Sequence, residues 1–415
     1  MNSLNENQYE LSAIDTNGET SESDDNSIQS PNLIGLQFGS IIALKKIRYV
    51  LLISVTLCLI ILTIVIFVTL THRQGNLVTT VTLTTSDTTS QTTNTSSMLI
   101  TSVSTTVITA FMPMLNISVD AQWEQNGITI IEGRQKDNAT YRVYQPRGLF
   151  IDDDQNILIA DHRNHRIDEW KQGDKEVVVL FGGGKGTKLG QLHHPVDVLI
   201  DRALNTLIIC DQSNRRVLRW FRRSPNKTAE ILINNIRCAG LAIDHQRYLY
   251  ISDNEHHQVK RYDTDGRNQT VVAGTGRQGN ASDELNSPAY IFVDRQQNVF
   301  VSDTENNRVI QWNKGASVGK IVAGNGIVGR ILKKLQQPAG IFVDSSNTVY
   351  VADCRNNRVM RWPQGATTGS VVVGNNGQGS GSNQLNCPKG LVFDRTGNLY
   401  VADSRNNRIQ KYLFK

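Results

Sequence analysis

Six histidines fall in three short groups, His162 with His165, His193 with His194, and His256 with His257. Imidazoles gathered on one face could hold zinc. His193 and His194, adjacent and directly before Pro195, are the candidate metal ligands, with zinc or calcium as the ion; the sequence itself requires no cofactor. A second set, Arg147, Asp197, Tyr290 and Lys389, lies one or two residues after prolines at corresponding points of the chain, and would give a ligand site of mixed charge with one aromatic ring. Four cysteines, Cys210, Cys238, Cys354 and Cys387, form two pairs 28 and 33 residues apart. No catalytic residue is assigned. The run Phe181–Thr187, FGGGKGT, lacks the G-x-x-x-x-G-K-[ST] spacing that cradles phosphate, and it occupies the place of AGTG, AGNG and GNNG turns elsewhere.

These residues are positioned by a repeated stretch, of which Val351–Trp362, VADCRNNRVMRW, is the clearest of six copies. Their leading aspartates, Asp161, Asp211, Asp253, Asp303, Asp353 and Asp403, are spaced 50, 42, 50, 50 and 50 residues apart. A strand-like run such as GIFVD precedes each copy, and one such as SVVVG follows most. Val, Ile, Leu, Phe and Tyr dominate and tend to alternate with other residues, as half-buried pleated strands require. Asp and Asn in the connecting loops bond nearby amides and tolerate left-handed backbone. A four-stranded sheet cannot cover both its faces alone, whereas six stacked in a ring can, so the expectation is an all-β, six-bladed propeller. The aromatic column Trp170, Trp220, Tyr262, Trp312, Trp362 and Tyr412 then packs between blades.

The histidines can be weighed against this repeat. His165, His256 and His257 occupy loop positions held elsewhere by Asn or Arg, a polar slot that needs no metal. His194 sits where other units carry Gln145, Ser287, Gln337 and Cys387, again with no common metal-binding character. The cysteines mark the end of a second strand and the entry of the next unit, twice over, and predict Cys210–Cys238 and Cys354–Cys387 disulfides. Buried free thiols are the alternative, and Cα separations above about 7 Å would exclude the bridges. The sixth unit lacks an outer strand, and a fitting piece occurs at Trp123–Gly133, WEQNGITIIEG. From Gly133 to Pro146 is 13 residues, against 14 from Gly324 to Pro338. Ile128–Glu132 is therefore expected to pair beside Arg408–Leu413 and close the ring, removing an open edge.

The repeats resemble the NHL family of six-bladed propellers, over about Trp123–Lys415. The resemblance is carried by the A-D-x-x-N-x-R loop and by the P-x-G-x-x-x-D entry strand at Pro146, Gly148 and Asp152, at Pro338, Gly340 and Asp344, and at Pro388, Gly390 and Asp394. It implies a scaffold whose chemistry sits in particular loops. In repeat layout the domain is also similar to propeller lyases that amidate peptides, whose zinc histidines directly follow the entry proline. Here that column reads Arg147, Val196, Ala239, Ala289, Ala339 and Lys389, so their site does not carry over.

Ahead of the repeats, residues 1–44 hold seven acidic residues and no basic one, a composition read as a disordered tail. Residues 45–71 begin with Lys45, Lys46 and Arg48 and continue as 22 uncharged residues, Tyr49–Leu70, long enough for a membrane-spanning signal-anchor helix. The basic flank predicts a cytoplasmic N-terminus. Residues 72–114 are Thr- and Ser-rich, the composition of a glycosylated stalk or a flexible linker. Six N-x-[ST] sequons, Asn94, Asn116, Asn138, Asn226, Asn268 and Asn280, all follow the apolar run. The chain thus reads as a single-pass type II membrane glycoprotein with residues 115–415 as an extracellular or lumenal propeller. All 43 Lys and Arg lie beyond the acidic tail, which favours surface glycans or acidic proteins as partners over nucleic acid, given that topology. The expected function is a binding or adhesion module for a protein or glycan. The alternative is a secretory-pathway lyase or hydrolase, with or without a metal, working at the channel mouth.

Overall fold

The computed structural model describes residues 115–133, 142–222 and 229–415. The acidic segment 1–44, the apolar segment 45–71, the Thr/Ser-rich segment 72–114 and the sequons Asn94, Asn138 and Asn226 lie outside the described residues. Among the described residues no helix is long and apolar enough to cross a membrane. The remaining sequons, Asn116, Asn268 and Asn280, are all exposed.

Six four-stranded antiparallel sheets make up the structure. The first five run from the axis outward in chain order. Blade 1 comprises Pro146–Ile151, Ile157–Asp161, Arg166–Trp170 and Val178–Gly182. Blades 2 to 5 begin at Pro195–Asp201, Cys238–Ile243, Pro288–Val293 and Pro338–Val343. Blade 6 comprises Pro388–Phe393, Leu399–Asp403 and Arg408–Tyr412, and its outer strand is Ile128–Glu132 from the other end of the domain. The second strand of every blade is buried along its whole length, because both faces are covered by neighbouring sheets. Leu158, Ala160 and Ile167 of blade 1, for instance, pack against Val198, Ile209, Leu218 and Trp220 of blade 2. The aromatic column is buried at every blade, from Trp170 to Tyr412.

The closing strand pairs Ile128 with Lys411, Thr129 with Gln410, Ile131 with Ile409 and Glu132 with Arg408. Blade 5 pairs Ser370, Val371, Val373 and Gly374 with Arg361, Met360, Val359 and Arg358, with a bulge at the same point. Glu132 thus sits where blade 5 has Gly374, one residue before the glycine that the sequence likeness suggested. Counted from Glu132, the 14-residue spacing to the entry proline is restored.

Five of the six blades are pinned by the same buried ion pair. Asp353 accepts hydrogen bonds from Arg358 Nε (2.8 Å), Asn356 Nδ2 (2.8 Å) and the Gln336 backbone N–H (2.8 Å). The Arg358 guanidinium also donates to the carbonyls of Arg330, Ile331 and Lys334, tying the inter-blade loop to the blade it feeds. Blades 1, 2, 4 and 6 repeat the pair as Asp161–Arg166, Asp211–Arg216, Asp303–Arg308 and Asp403–Arg408. Blade 3 departs from the pattern: Gln258 fills the arginine position, and Lys260 and His256 bond Asp253 instead.

The next loop position links one blade to its neighbour. Asn307, Asn357 and Asn407 have positive φ, and each Oδ1 accepts the backbone N–H that precedes the next entry proline, at Gln337, Cys387 and Gln145. In blades 1 and 3 the same slot holds His165 and His257, whose Nδ1 atoms accept from His194 and Ser287 N–H, both at 3.1 Å. The polar slot seen in the sequence is therefore an acceptor slot, which imidazole fills only while Nδ1 is unprotonated. Burial, with His193, Lys185 and Arg163 nearby, holds the His165 pKa below its ordinary 6.5. The unfolded chain then takes up a proton below about pH 6.5 before the native chain does, so this site's stabilisation is complete above that pH and is lost as pH falls. His165→Asn is expected to leave stability at pH 7.5 nearly unchanged and to raise it at pH 5.5 relative to the parent, as read by urea midpoints. An equal effect at both pH values would refute the acceptor role.

Two disulfides join adjacent blades: Cys210–Cys238 links blades 2 and 3 and Cys354–Cys387 links blades 5 and 6, with Cα separations of 5.6 and 4.0 Å. Closing 28- and 33-residue loops restricts the unfolded chain. Replacing either pair with alanine is expected to cost about 2–4 kcal/mol, measured by denaturation of oxidised protein.

Candidate functional site at the channel mouth

The inner strands converge so closely that the second residue after the entry proline has no room for a side chain in four of the six blades. A Cβ at Gly340 would strike the Lys389 carbonyl, and one at Gly390 the Arg147 carbonyl, in each case on the neighbouring blade. Asp197 and Tyr290 stand in this column instead of glycine. The Asp197 carboxylate is turned into the wall, accepting Val198 N–H (3.0 Å) and, across the blade boundary, Leu241 N–H (2.9 Å). Burial pushes its pKa up to about 7 against the pull of those two donors. The Tyr290 hydroxyl is buried without a hydrogen-bond partner.

Two cavities occupy the channel. One, of about 250 Å³, lies at the entry side and is lined by Arg147, Gln212, Arg237, Asn254, Tyr290 and Lys389, with Val196, Ala239 and Ala289 between them. The other, of about 300 Å³, is mainly apolar, lined by Phe150, Phe292, Phe342, Phe393 and neighbouring aliphatic residues, with Arg202 also on its wall. Tyr290 borders both, whereas Asp197 borders only the apolar one. Of the four expected ligand-site residues, Arg147, Tyr290 and Lys389 are thus brought together at the mouth, and Asp197 lies below them. Burial, reinforced by Arg147, Arg405 and Arg355 and opposed by Glu305, lowers the Lys389 pKa to about 8. The Arg147 pKa is also lowered, first by burial and then by Arg163, with Tyr290 opposing.

His162, His165, His193 and His194 gather where blades 1 and 2 meet, with ring centroids 4.5 to 5.5 Å apart. Their Nδ1 atoms are largely committed: His162 to the Pro195 carbonyl, His165 to His194 N–H and His194 to the Ser213 hydroxyl. Among the described residues no three His, Cys, Asp or Glu side chains are arranged to hold a metal ion. His256 and His257 lie on blade 3, bonded to Asp253 and Ser287 respectively. Burial and Arg147 press the His162 pKa down to about 2, so this ring is neutral at physiological pH.

Gln212, Asn254 and Arg237 were not foreseen at the mouth. For Gln212 and Asn254 the signal lay in a column of the repeat, the residue after each loop aspartate, which reads His162, Gln212, Asn254, Thr304, Cys354 and Ser404; Arg237 instead precedes the blade-3 entry strand. In that column the side chain reaches the next entry proline, as Asn254 does to the Pro288 carbonyl (3.1 Å) and Thr304 to that of Pro338 (2.9 Å).

Asp197 makes a pH prediction. With its native pKa near 7 and an ordinary value of 3.8, the native state alone holds this proton between those limits. Stability contributed here is therefore present at low pH and lost as pH rises through that window, opposite in sign to the histidine effect. Urea titrations between pH 4.5 and 8 should show a difference between parent and Asp197→Asn that varies with pH; a constant difference would contradict the raised value.

The fold and its channel define a six-bladed β-propeller. The NHL repeat family model matches residues 335–362 and 385–412, which are the segments that form blades 5 and 6 of this propeller. No curated protein sequence matches the chain. Among solved structures it is similar to an auxiliary nutrient binding protein from Bacteroides thetaiotaomicron, with 16% identity, 69% of this chain and 76% of that one covered, and a TM-score of 0.56. A second auxiliary nutrient binding protein, from Bacteroides ovatus, aligns with 15% identity over 71% of this chain and 78% of that one, TM-score 0.54. A gluconolactonase from Xanthomonas campestris gives 14% identity, 73% and 95% coverage and a TM-score of 0.51. At these identities the likeness speaks to fold alone.

Proposed function

We propose that the chain is a membrane-tethered binding module whose propeller takes its ligand, a glycan or protein group, at the entry-side mouth on the extracellular or lumenal side. The observation that carries this reading is the mouth itself: a concave site with convergent polar groups, two of them cations in a column otherwise filled by Val and Ala. The two disulfides and three exposed sequons support an oxidising, glycosylating compartment. Two of the similar structures are described as nutrient binding proteins, which is compatible with a ligand-holding role for this fold. A glycan and peptide array probed with full-length protein tests it: ligands should be retained by the parent and lost with Tyr290→Gly. Retention unaffected by that change would move the site elsewhere.

One observation favours the second reading, an enzyme of the lyase or hydrolase type. Lys389, whose pKa burial lowers to about 8, lines the same cavity as Tyr290, and a perturbed amine in a cleft is the kind of group that performs proton transfer. Turnover of an array ligand, lost in Lys389→Met, would establish it over simple binding.

A further inference from the structure

The mouth has a definite electrostatic character, and it is cationic. Arg147 and Lys389 start the inner strands of adjacent blades 1 and 6, half-buried in the channel wall. Neither makes a salt bridge or a side-chain hydrogen bond among the described residues, whereas the arginines of the five blade-pinning pairs are held by carboxylates. The carboxylate nearest in influence to Lys389 is Glu305, which is exposed and bonded through Oε1 to Gln337. Asp197, the buried acid of the channel, has both oxygens occupied by backbone N–H groups and does not border the mouth. The fold does not require this arrangement, because the same column is Val196, Ala239, Ala289 and Ala339 in the other blades. Confining Arg147 and Lys389 in one small cavity, with Arg237 also on its lining, is unfavourable unless an anion joins them. Tyr290 lines this cavity as well as the second one, and its buried hydroxyl has no hydrogen-bond partner. Val196, Ala239 and Ala289 add small apolar surface between the polar groups Gln212, Arg237 and Asn254. The cavity's 250 Å³ admits a unit the size of one sugar ring.

From this we propose that the mouth recognises a small oxyanion-bearing group, a carboxylate or phosphate monoester on a sugar-sized body. Arg147 takes it with its planar fork, Lys389 pairs with it as a point charge, and Tyr290 donates a hydrogen bond. This deepens the binding-module reading and rests on it. The group is carried either by a free acid or by the acidic terminus of a glycan; both present the same chemistry to the mouth.

The test titrates full-length protein in detergent micelles, at pH 8 and low ionic strength, with glucuronate, glucose 6-phosphate, neutral glucose and an oligosaccharide ending in glucuronate. At least one acid is expected to bind at least about tenfold more tightly than glucose and to raise the melting temperature. Removing one charged partner, as Arg147→Gln or Lys389→Met, should weaken that acid by about tenfold to a hundredfold. Tyr290→Phe should weaken it by about threefold to tenfold. The distinguishing result is that unliganded Lys389→Met melts no lower than the parent, because a repulsion has been removed. Calorimetry in two buffers should also record proton uptake on binding, absent in Lys389→Met. Preference for the free acid or for the oligosaccharide decides the source, and either supports the site. Equal affinity for glucose and glucuronate would overturn the inference while leaving a mouth-binding module intact. Acid binding undiminished in both charge variants would overturn it too. If no probe binds and Lys389→Met melts lower than the parent, the charge is structural and the inference fails, whereas the wider reading fails only if the glycan and peptide array is also empty.

Discussion

Deleting residues 120–133 is expected to have the largest effect of any change to the propeller, a loss of more than about 5 kcal/mol together with concentration-dependent self-association. The segment supplies the fourth strand of blade 6, and without it Arg408–Tyr412 becomes an open edge able to pair with another chain. It also supplies Trp123, 2% exposed, whose indole N–H donates to the Gly397 carbonyl at 2.8 Å. That ring packs edge-on against Tyr350 and Phe414 and tilts against Phe393, and the guanidinium of Arg361 lies 5.8 Å from its centre. Trp123→Ala alone is expected to cost about 3–5 kcal/mol, the range for emptying a large aromatic site. Chemical denaturation and sedimentation together check both changes. A deletion variant that melts with the parent and sediments as it does would mean that the ring is closed by something other than this strand.

Arg358→Ala is expected to cost about 3–5 kcal/mol, because it strands a buried charge rather than removing a contact. The arginine side chain is 1% exposed and Asp353 is fully buried. Its removal leaves the carboxylate with only Asn356 and one backbone donor, and releases three loop carbonyls between blades 4 and 5. The exposed pair Arg202–Asp153, at 3.0 Å, is the control: Arg202→Ala should change stability by less than about 1 kcal/mol. Urea midpoints for the two variants should differ accordingly, and comparable small losses would show that the buried pairs are replaceable.

Much of this architecture was legible because the chain repeats itself. Six aspartate-led copies give six blades, and the paired positions of the cysteines identify which blades are stapled. The closing strand was legible from the missing outer strand, and Ile128–Glu132 does pair beside Arg408–Tyr412; only the likeness of Gly133 to the repeat glycine is displaced, because Glu132 takes that place opposite Arg408. Sequence likeness weighs a conspicuous glycine, while register is set by which side chain, here Ile131, must face the core. The ligand site was legible as departures from the repeat, yet its charge was not. Asp197 and Lys389 look alike in sequence as polar intruders near the axis. Only the pleat, which sends alternate residues in different directions, separates the one turned into the wall from the one left in the mouth. His165 likewise read as a polar loop residue, but its specific work, accepting a neighbouring blade's N–H, needs the left-handed backbone that aims it.

The claim on which the functional reading depends is that ligands enter at the mouth. Hydrogen exchange with and without saturating amounts of the best-bound acid tests it most directly. Protection should be confined to the entry segments around Arg147, Asp197, Ala239, Tyr290, Ala339 and Lys389, with the outer strands of all blades unaffected. Protection that falls on the outer strands, or around Phe150 and Phe342 at the apolar end while the entry segments stay unchanged, would contradict the account.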